Sequence, residues 1–106
     1  MIVSSGYNIY PSYMEEIICK NEYVDSCAVV AIPHPYKKQV PKAYIILKEG
    51  IKPTSQIKNN IKKYCEENFV RYSWPYEYEY RTELPKTLVG KVAYKELEKE
   101  SSNENN

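Results

Sequence analysis

The sequence predicts an α+β domain: a small three-stranded sheet flanked by helices and preceded by an N-terminal β-hairpin. Three segments carry that expectation. Two nearly continuous apolar runs, CAVVAI within 26–32 and AYII within 42–48, suit strands covered on both faces better than strands with one face in water. Segment 54–70 places Ile57, Ile61, Tyr64, Cys65 and Phe69 at helical spacing, with Lys58, Lys62 and Lys63 toward the other side. Segment 76–82 alternates, Tyr76, Tyr78 and Tyr80 against Glu77, Glu79 and Arg81, which is the signature of a half-buried third strand.

The other elements fall between these. Residues 1–9 read as a short extended pair broken at Gly6, with Ile2, Val3, Tyr7 and Ile9 as its non-polar positions. Pro11 suits the first turn of a helix, where its missing N–H costs nothing, and that helix runs to about residue 21 with Met14, Ile17 and Ile18 inward. HPYKKQVP, 34–41, is expected as a loop joining the two central strands. A last helix spans about 93–100, and SSNENN, 101–106, reads as a disordered tail. There is no internal repeat and no linker.

Length and composition bound the rest. A chain of 106 residues is enough for one domain, and 42% hydrophobic with 27% charged residues is an ordinary globular balance. No apolar run approaches the ~20 residues that span a membrane, and MIVSSGYN lacks the basic start of a signal peptide. The expectation is a soluble, cytoplasmic protein. Cys19, Cys27 and Cys65 include no CxxC pair, so they read as reduced, mostly buried thiols, and no metal site is expected. His34 stands alone in a Pro-flanked loop.

The net charge of +1 hides a pattern. Residues 1–33 carry Lys20 against four acidic side chains, and 34–63 carry eight lysines against Glu49. Residues 64–106 turn acidic again. A basic middle segment suits an anionic ligand or partner, and equally a solvated lysine face.

In LPKTLVGK, 84–91, Pro85 fixes its own φ and pushes Leu84 toward an extended conformation. Gly90 can take φ > 0 or let another surface approach the backbone. The result is a structured loop presenting Lys91 beside a helix start, a compact positive charge suited to a phosphate or carboxylate.

Three stretches in order, SSGYNIYPSYMEEI, CAVVAIPHPYKKQVPKAYIILKEG and RYSWPYEYEYRTELPKTLVGKV, resemble the C-terminal domain of acyl-CoA synthetases. These belong to the adenylate-forming ligases, the superfamily of luciferase and peptide-synthetase adenylation domains. The resemblance covers about residues 1–100 and implies a lid domain. In such enzymes the lid works in cis with a large N-terminal adenylation domain, for which this sequence has no room, so the chain alone is expected to be inactive. The full enzyme activates a carboxylic acid, typically a fatty acid, with ATP, with Mg2+ entering through the ATP. It then passes the acyl group to coenzyme A.

By resemblance, Lys91 matches the lysine that contacts carboxylate and nucleotide as the acyl-adenylate forms, where an oriented cation offsets developing charge. Gly6 and Tyr7 match the segment that enters the active site beside the pantetheine arm. Lys37, with Lys38 and Lys42 to assist, matches a basic residue for the phosphates of coenzyme A. Trp74 matches a position where an aromatic ring is offered to the nucleotide, although it could as easily pack under the third strand. The sequence departs from the family pattern at Ser73, where lysine is common, and at Tyr94, where arginine is common. The hinge residue is also missing, because the chain opens just after it.

Two alternatives share parts of this pattern. A carrier-protein-loading enzyme would share the lid and its lysine. A nucleic-acid module could use the YEYEY strand for stacking, but Glu77 and Glu79 would repel phosphates and no RNP-like run is present, so no nucleic-acid partner is expected.

Overall fold

The computed structural model describes residues 1–86 and 92–104. Within them the chain forms strands β1 (Ile2–Ser4) and β2 (Tyr7–Ile9), helix α1 (Pro11–Ile18), and strands β3 (Val24–His34) and β4 (Lys38–Leu47). Helix α2 (Ser55–Asn68), a 3-10 turn (Arg71–Ser73), strand β5 (Glu77–Arg81) and helix α3 (Tyr94–Glu104) complete it. One sheet of five strands runs β2-β1-β4-β3, with β5 also on β4. The expected α+β class, hairpin and three main strands are all present.

Strand β4 is the axis of the sheet. It pairs along its length with β3. On its other side it meets β1 at Ser4↔Lys38 and then β5, in parallel, over Lys42–Ile46. Two parallel neighbours need a crossover, and α2 supplies it. Thr54 starts that helix, its Oγ1 accepting from the Ile57 N–H at 3.3 Å.

Both faces of the sheet are covered, as the apolar runs require. One face packs Val29, Ala43 and Ile45 against Met14 and Ile18 of α1 and Ile61 and Cys65 of α2, with Ile2 and Ile9 closing its end. The other packs Ala28, Val30, Ile32 and Tyr44 against Leu84 and Leu97 of α3. On β5, Tyr78 and Tyr80 face the first cluster, while Glu79 and Arg81 meet Lys42 and Glu100 on the opposite side.

Several boundaries differ from the sequence reading, each for a local reason. HPYKKQVP is not an extended loop: the strands continue through it and reverse over Pro35, Tyr36 and Lys37, with Lys38 at φ 71°. The left-handed conformation of Lys38, the first residue of β4, completes the reversal. Pro33 is tolerated because β3 is the outer strand among the described residues. Pro41 sits before the β4–β5 ladder begins, and only its carbonyl is used, accepting from the Tyr76 N–H at 2.8 Å.

Helix α1 stops three residues short of 21. Asn21 then turns the chain into β3, its side-chain oxygen accepting from the Tyr23 N–H at 2.9 Å. Helix α3 continues to Glu104, into the segment read as a disordered tail, since no Gly or Pro stops it at Glu100.

Glu15 ties these layers together. Its carboxylate accepts from the Val29 N–H of β3 and from the Tyr94 hydroxyl at the start of α3, both at 2.8 Å. Burial and the adjacent Glu15 carboxylate push the Tyr94 phenol up from its ordinary pKa. Cys27 and Cys65 are buried as expected, whereas Cys19 is exposed.

Candidate functional site

The first candidate region is where the β1–β2 turn lies against the β3–β4 turn. Ser5 and Gly6 both have positive φ, 51° and 85°, the requirement of a two-residue type I′ reversal. A Cβ on Gly6 would meet nothing within 4 Å, so the glycine serves the backbone conformation and not the domain's own packing. The Ser5 N–H donates to the Lys37 carbonyl at 3.0 Å, and the Val3 N–H to the Gln39 side-chain oxygen at 3.1 Å. Gly6, Tyr7 and Lys37, far apart in sequence, thereby share one end of the sheet.

The turn that carries Lys37 is held by His34, whose Nδ1 accepts from the N–H groups of Tyr36 and Lys37 at 3.1 and 3.0 Å. His34 is thus a cap with backbone partners, which its isolation in sequence did not reveal. Its ring meets Tyr76 edge-on at 5.2 Å, and the Lys37 ammonium lies 4.9 Å from the Tyr76 ring centroid. Tyr7 stacks on Tyr72 with centroids 4.3 Å apart. Tyr72 is one of twelve tyrosines with nothing in the sequence to prefer it, and Tyr76 is expected there only as a position of the third strand.

Trp74 follows the 3-10 turn and donates its indole N–H to the Phe69 carbonyl at 3.0 Å, half-buried against the first cluster. Lys42 does not join Lys37. It is 3% exposed and pairs with Glu79 at 3.1 Å, and Glu79 in turn holds Arg81. The Lys42 ammonium and the Arg81 guanidinium lie 4.7 and 4.8 Å from the centroid of the Tyr44 ring. Tyr78 and Tyr80 pack inward against the first cluster.

The second region is the PKTLVGK loop. Gly90 and Lys91 lie outside the described residues, but the neck of the loop does not. Lys86 bridges Val92, and the Ala93 N–H donates to the Pro85 carbonyl at 2.8 Å. Leu84 and Val92 at that neck belong to the second cluster, whereas Ile2 and Ile9 of the hairpin belong to the first. The β1–β2 hairpin and the loop neck thus pack in different clusters, while the β3–β4 turn that carries Lys37 is flanked by Ile32 and Val40 of the second. Among the described residues no His, Cys, Asp and Glu group could hold a metal, and no helix is long and apolar enough to cross a membrane.

Residues 13–91 match the family described as the AMP-binding enzyme C-terminal domain. The chain belongs to that family. It is 35% identical over 104 residues to a long-chain-fatty-acid–CoA ligase of Bacillus subtilis, covering 97% of this chain and 18% of the relative. A peroxisomal butyrate–CoA ligase of Arabidopsis thaliana is 33% identical over 97 residues, 92% of this chain and 17% of its own. Among solved structures, the anthranilate CoA ligase AuaEII in complex with anthranoyl-AMP superposes with a TM-score of 0.90 at 30% identity, over 97% of this chain and 20% of that one. The chain therefore spans about a fifth of the length of the proteins it matches.

The match to this AMP-binding C-terminal domain contains Lys37, Trp74 and Lys91, and leaves Gly6 and Tyr7 just before it. It also contains Glu79, which links β5 to β4. Burial opposes ionisation of Glu79, but hydrogen bonds from Arg81 and Lys42 outweigh it and hold the carboxyl below the usual carboxylate range. A depressed folded value contributes stability that is present above the unfolded pKa, about 4.3, and is lost as pH falls through the folded value. Glu79→Gln is expected to lower the urea midpoint at neutral pH and to flatten its fall on acidification below about pH 4. An unchanged acid limb would show that Glu79 is not one of the groups driving acid unfolding.

Proposed function

We propose that this domain, residues 1–100, is the lid of an acyl-CoA synthetase acting in cis with an N-terminal domain that binds ATP and the acid. The reaction has two halves. A carboxylate attacks the α-phosphorus of Mg2+-bound ATP, giving acyl-adenylate and pyrophosphate. The thiolate of coenzyme A then attacks the acyl carbon and releases AMP.

In this reading Lys91 meets the carboxylate and nucleotide in the first half. Gly6 and Tyr7 pass the pantetheine arm in the second, and Lys37 faces the phosphates of coenzyme A, with Trp74 toward its nucleotide end. The observation that carries the proposal is the separation of the loop neck, which packs in the second cluster, from the β1–β2 hairpin, which packs in the first. A lid that turns between half-reactions needs two distinct working surfaces, and this reading assigns them to the loop neck and the β1–β2 hairpin.

A fatty acid is the substrate of the Bacillus subtilis relative by name, and we place a fatty acid first for this protein, in the cytoplasm. Relatives named for long-chain fatty acids and for butyrate share the domain at similar identity, which supports placing acid selection in the N-terminal domain.

A chimera tests the proposal. The chain replaces the C-terminal domain of the Bacillus subtilis ligase, and thioester formation is followed with ATP, coenzyme A and a panel of acids. Recovery of acyl-CoA formation over the N-terminal domain alone is expected. A folded chimera that forms none would overturn the assignment.

Gly6→Leu in that chimera is expected to slow thioester formation from preformed acyl-adenylate while adenylation persists. The substitution itself should lower the domain's stability by about 1 kcal/mol through backbone strain at φ 85°. Thioester formation at the unsubstituted rate would take Gly6 out of the site.

A further inference from the structure

Cys19 caps the C-terminal end of α1 and is exposed, while Cys27 lies on β3 and is buried. Their sulfur atoms are 3.4 Å apart, and the Cys27 thiol also reaches the Glu15 carbonyl at 3.5 Å. Cys65, on α2, is fully buried. The fold therefore pairs two of three thiols and gives one member of the pair access to solvent.

We propose that Cys19 and Cys27 form a redox-active dithiol, which a small-molecule disulfide such as oxidised glutathione closes to an intramolecular disulfide. The Cys19 thiolate attacks one sulfur of the glutathione disulfide, forming a mixed disulfide and expelling one glutathione thiolate. Cys27 gives up its proton and attacks the Cys19 sulfur, forming the Cys19–Cys27 bond and expelling the second glutathione. The protein loses two electrons and two protons, and the oxidant gains them as two molecules of glutathione.

The order of the steps follows from access and protonation. Attack requires an exposed thiolate. Burial, and the neighbouring Cys19, hold the Cys27 thiol far above the usual thiol range, so Cys27 resolves the mixed disulfide and does not start the exchange. The bridge would join α1 to β3 beside Glu15, which already connects both to α3.

Trypsin makes the test direct, because Lys20 separates the two cysteines into peptides 1–20 and 21–37. The folded chain is incubated with oxidised glutathione, free thiols are alkylated in denaturant, and peptides are mapped without reduction. Expected are loss of two of the three alkylatable thiols, linkage of 1–20 to 21–37, and an alkylated Cys65. In Cys27→Ser, a glutathione adduct on Cys19 should accumulate. In Cys19→Ser, a substitution at an exposed position, Cys27 should remain alkylatable only after unfolding. Three free thiols after oxidation, a persistent glutathione adduct with Cys27 still free in the unsubstituted chain, or linkage to Cys65 would each overturn the proposal.

Discussion

Lys91→Ala, in the chimera with the Bacillus subtilis N-terminal domain, is expected to cut acyl-adenylate formation by about 10³-fold, roughly 4 kcal/mol of transition-state stabilisation. The reasoning is electrostatic. Carboxylate and triphosphate repel, and the attack builds further charge at the α-phosphorus. A single oriented cation in a closed, water-poor site acts where that charge develops, and alanine removes it without adding bulk. Thioester formation from supplied acyl-adenylate should survive, because this reading gives that half-reaction to the hairpin end of the domain. Pyrophosphate release and acyl-CoA formation, measured separately, check the division. Equal losses in both would sink it.

Ile45→Ala is expected to cost about 2–5 kcal/mol of folding stability, a large part of what a small domain possesses. Ile45 is fully buried toward the C-terminal end of β4, paired with Cys27 on one side and Tyr80 on the other. Truncation there opens space among strands held on both edges, where helices α1 and α2 have little freedom to close in. Ile45→Val, which removes one methylene, should cost about 0.5–1.5 kcal/mol. Urea denaturation of the two variants gives the comparison. A loss below about 1 kcal/mol for alanine would mean that the first cluster collapses into the gap more freely than close packing allows.

Several of the expectations that held rested on periodicity. Two-sided burial of the central strands was legible because CAVVAI and AYII leave no polar face, and α2 was legible because its apolar positions recur every three to four residues. The parallel pairing of β5 with β4 was not, since alternation along 76–82 says which face is buried and nothing about direction. Pro33 and Pro41 misled the boundary of the central hairpin. A missing donor is costly only where a partner strand needs it, and that depends on where β5 begins.

In the candidate site, Tyr7 and Lys37 are conspicuous only once the Ser5 to Lys37 hydrogen bond has joined their turns, and that bond is between backbone groups. Lys42 shows the converse. It reads as one more lysine of a basic stretch, yet the alternation that turns Glu79 to the same face takes it into a buried ion pair.

Glu15 bears on how copies of the protein meet in solution. The outer strand of a sheet offers its free N–H and C=O groups to any other strand, and that is how many sheets begin to aggregate. Here the Val29 donor is already occupied by a carboxylate from the same chain, and Tyr94 covers that carboxylate from the other side. A strand from a second copy would find that position taken and would meet a negative charge beside it. Glu15 thus blocks edge-to-edge pairing at the middle of β3.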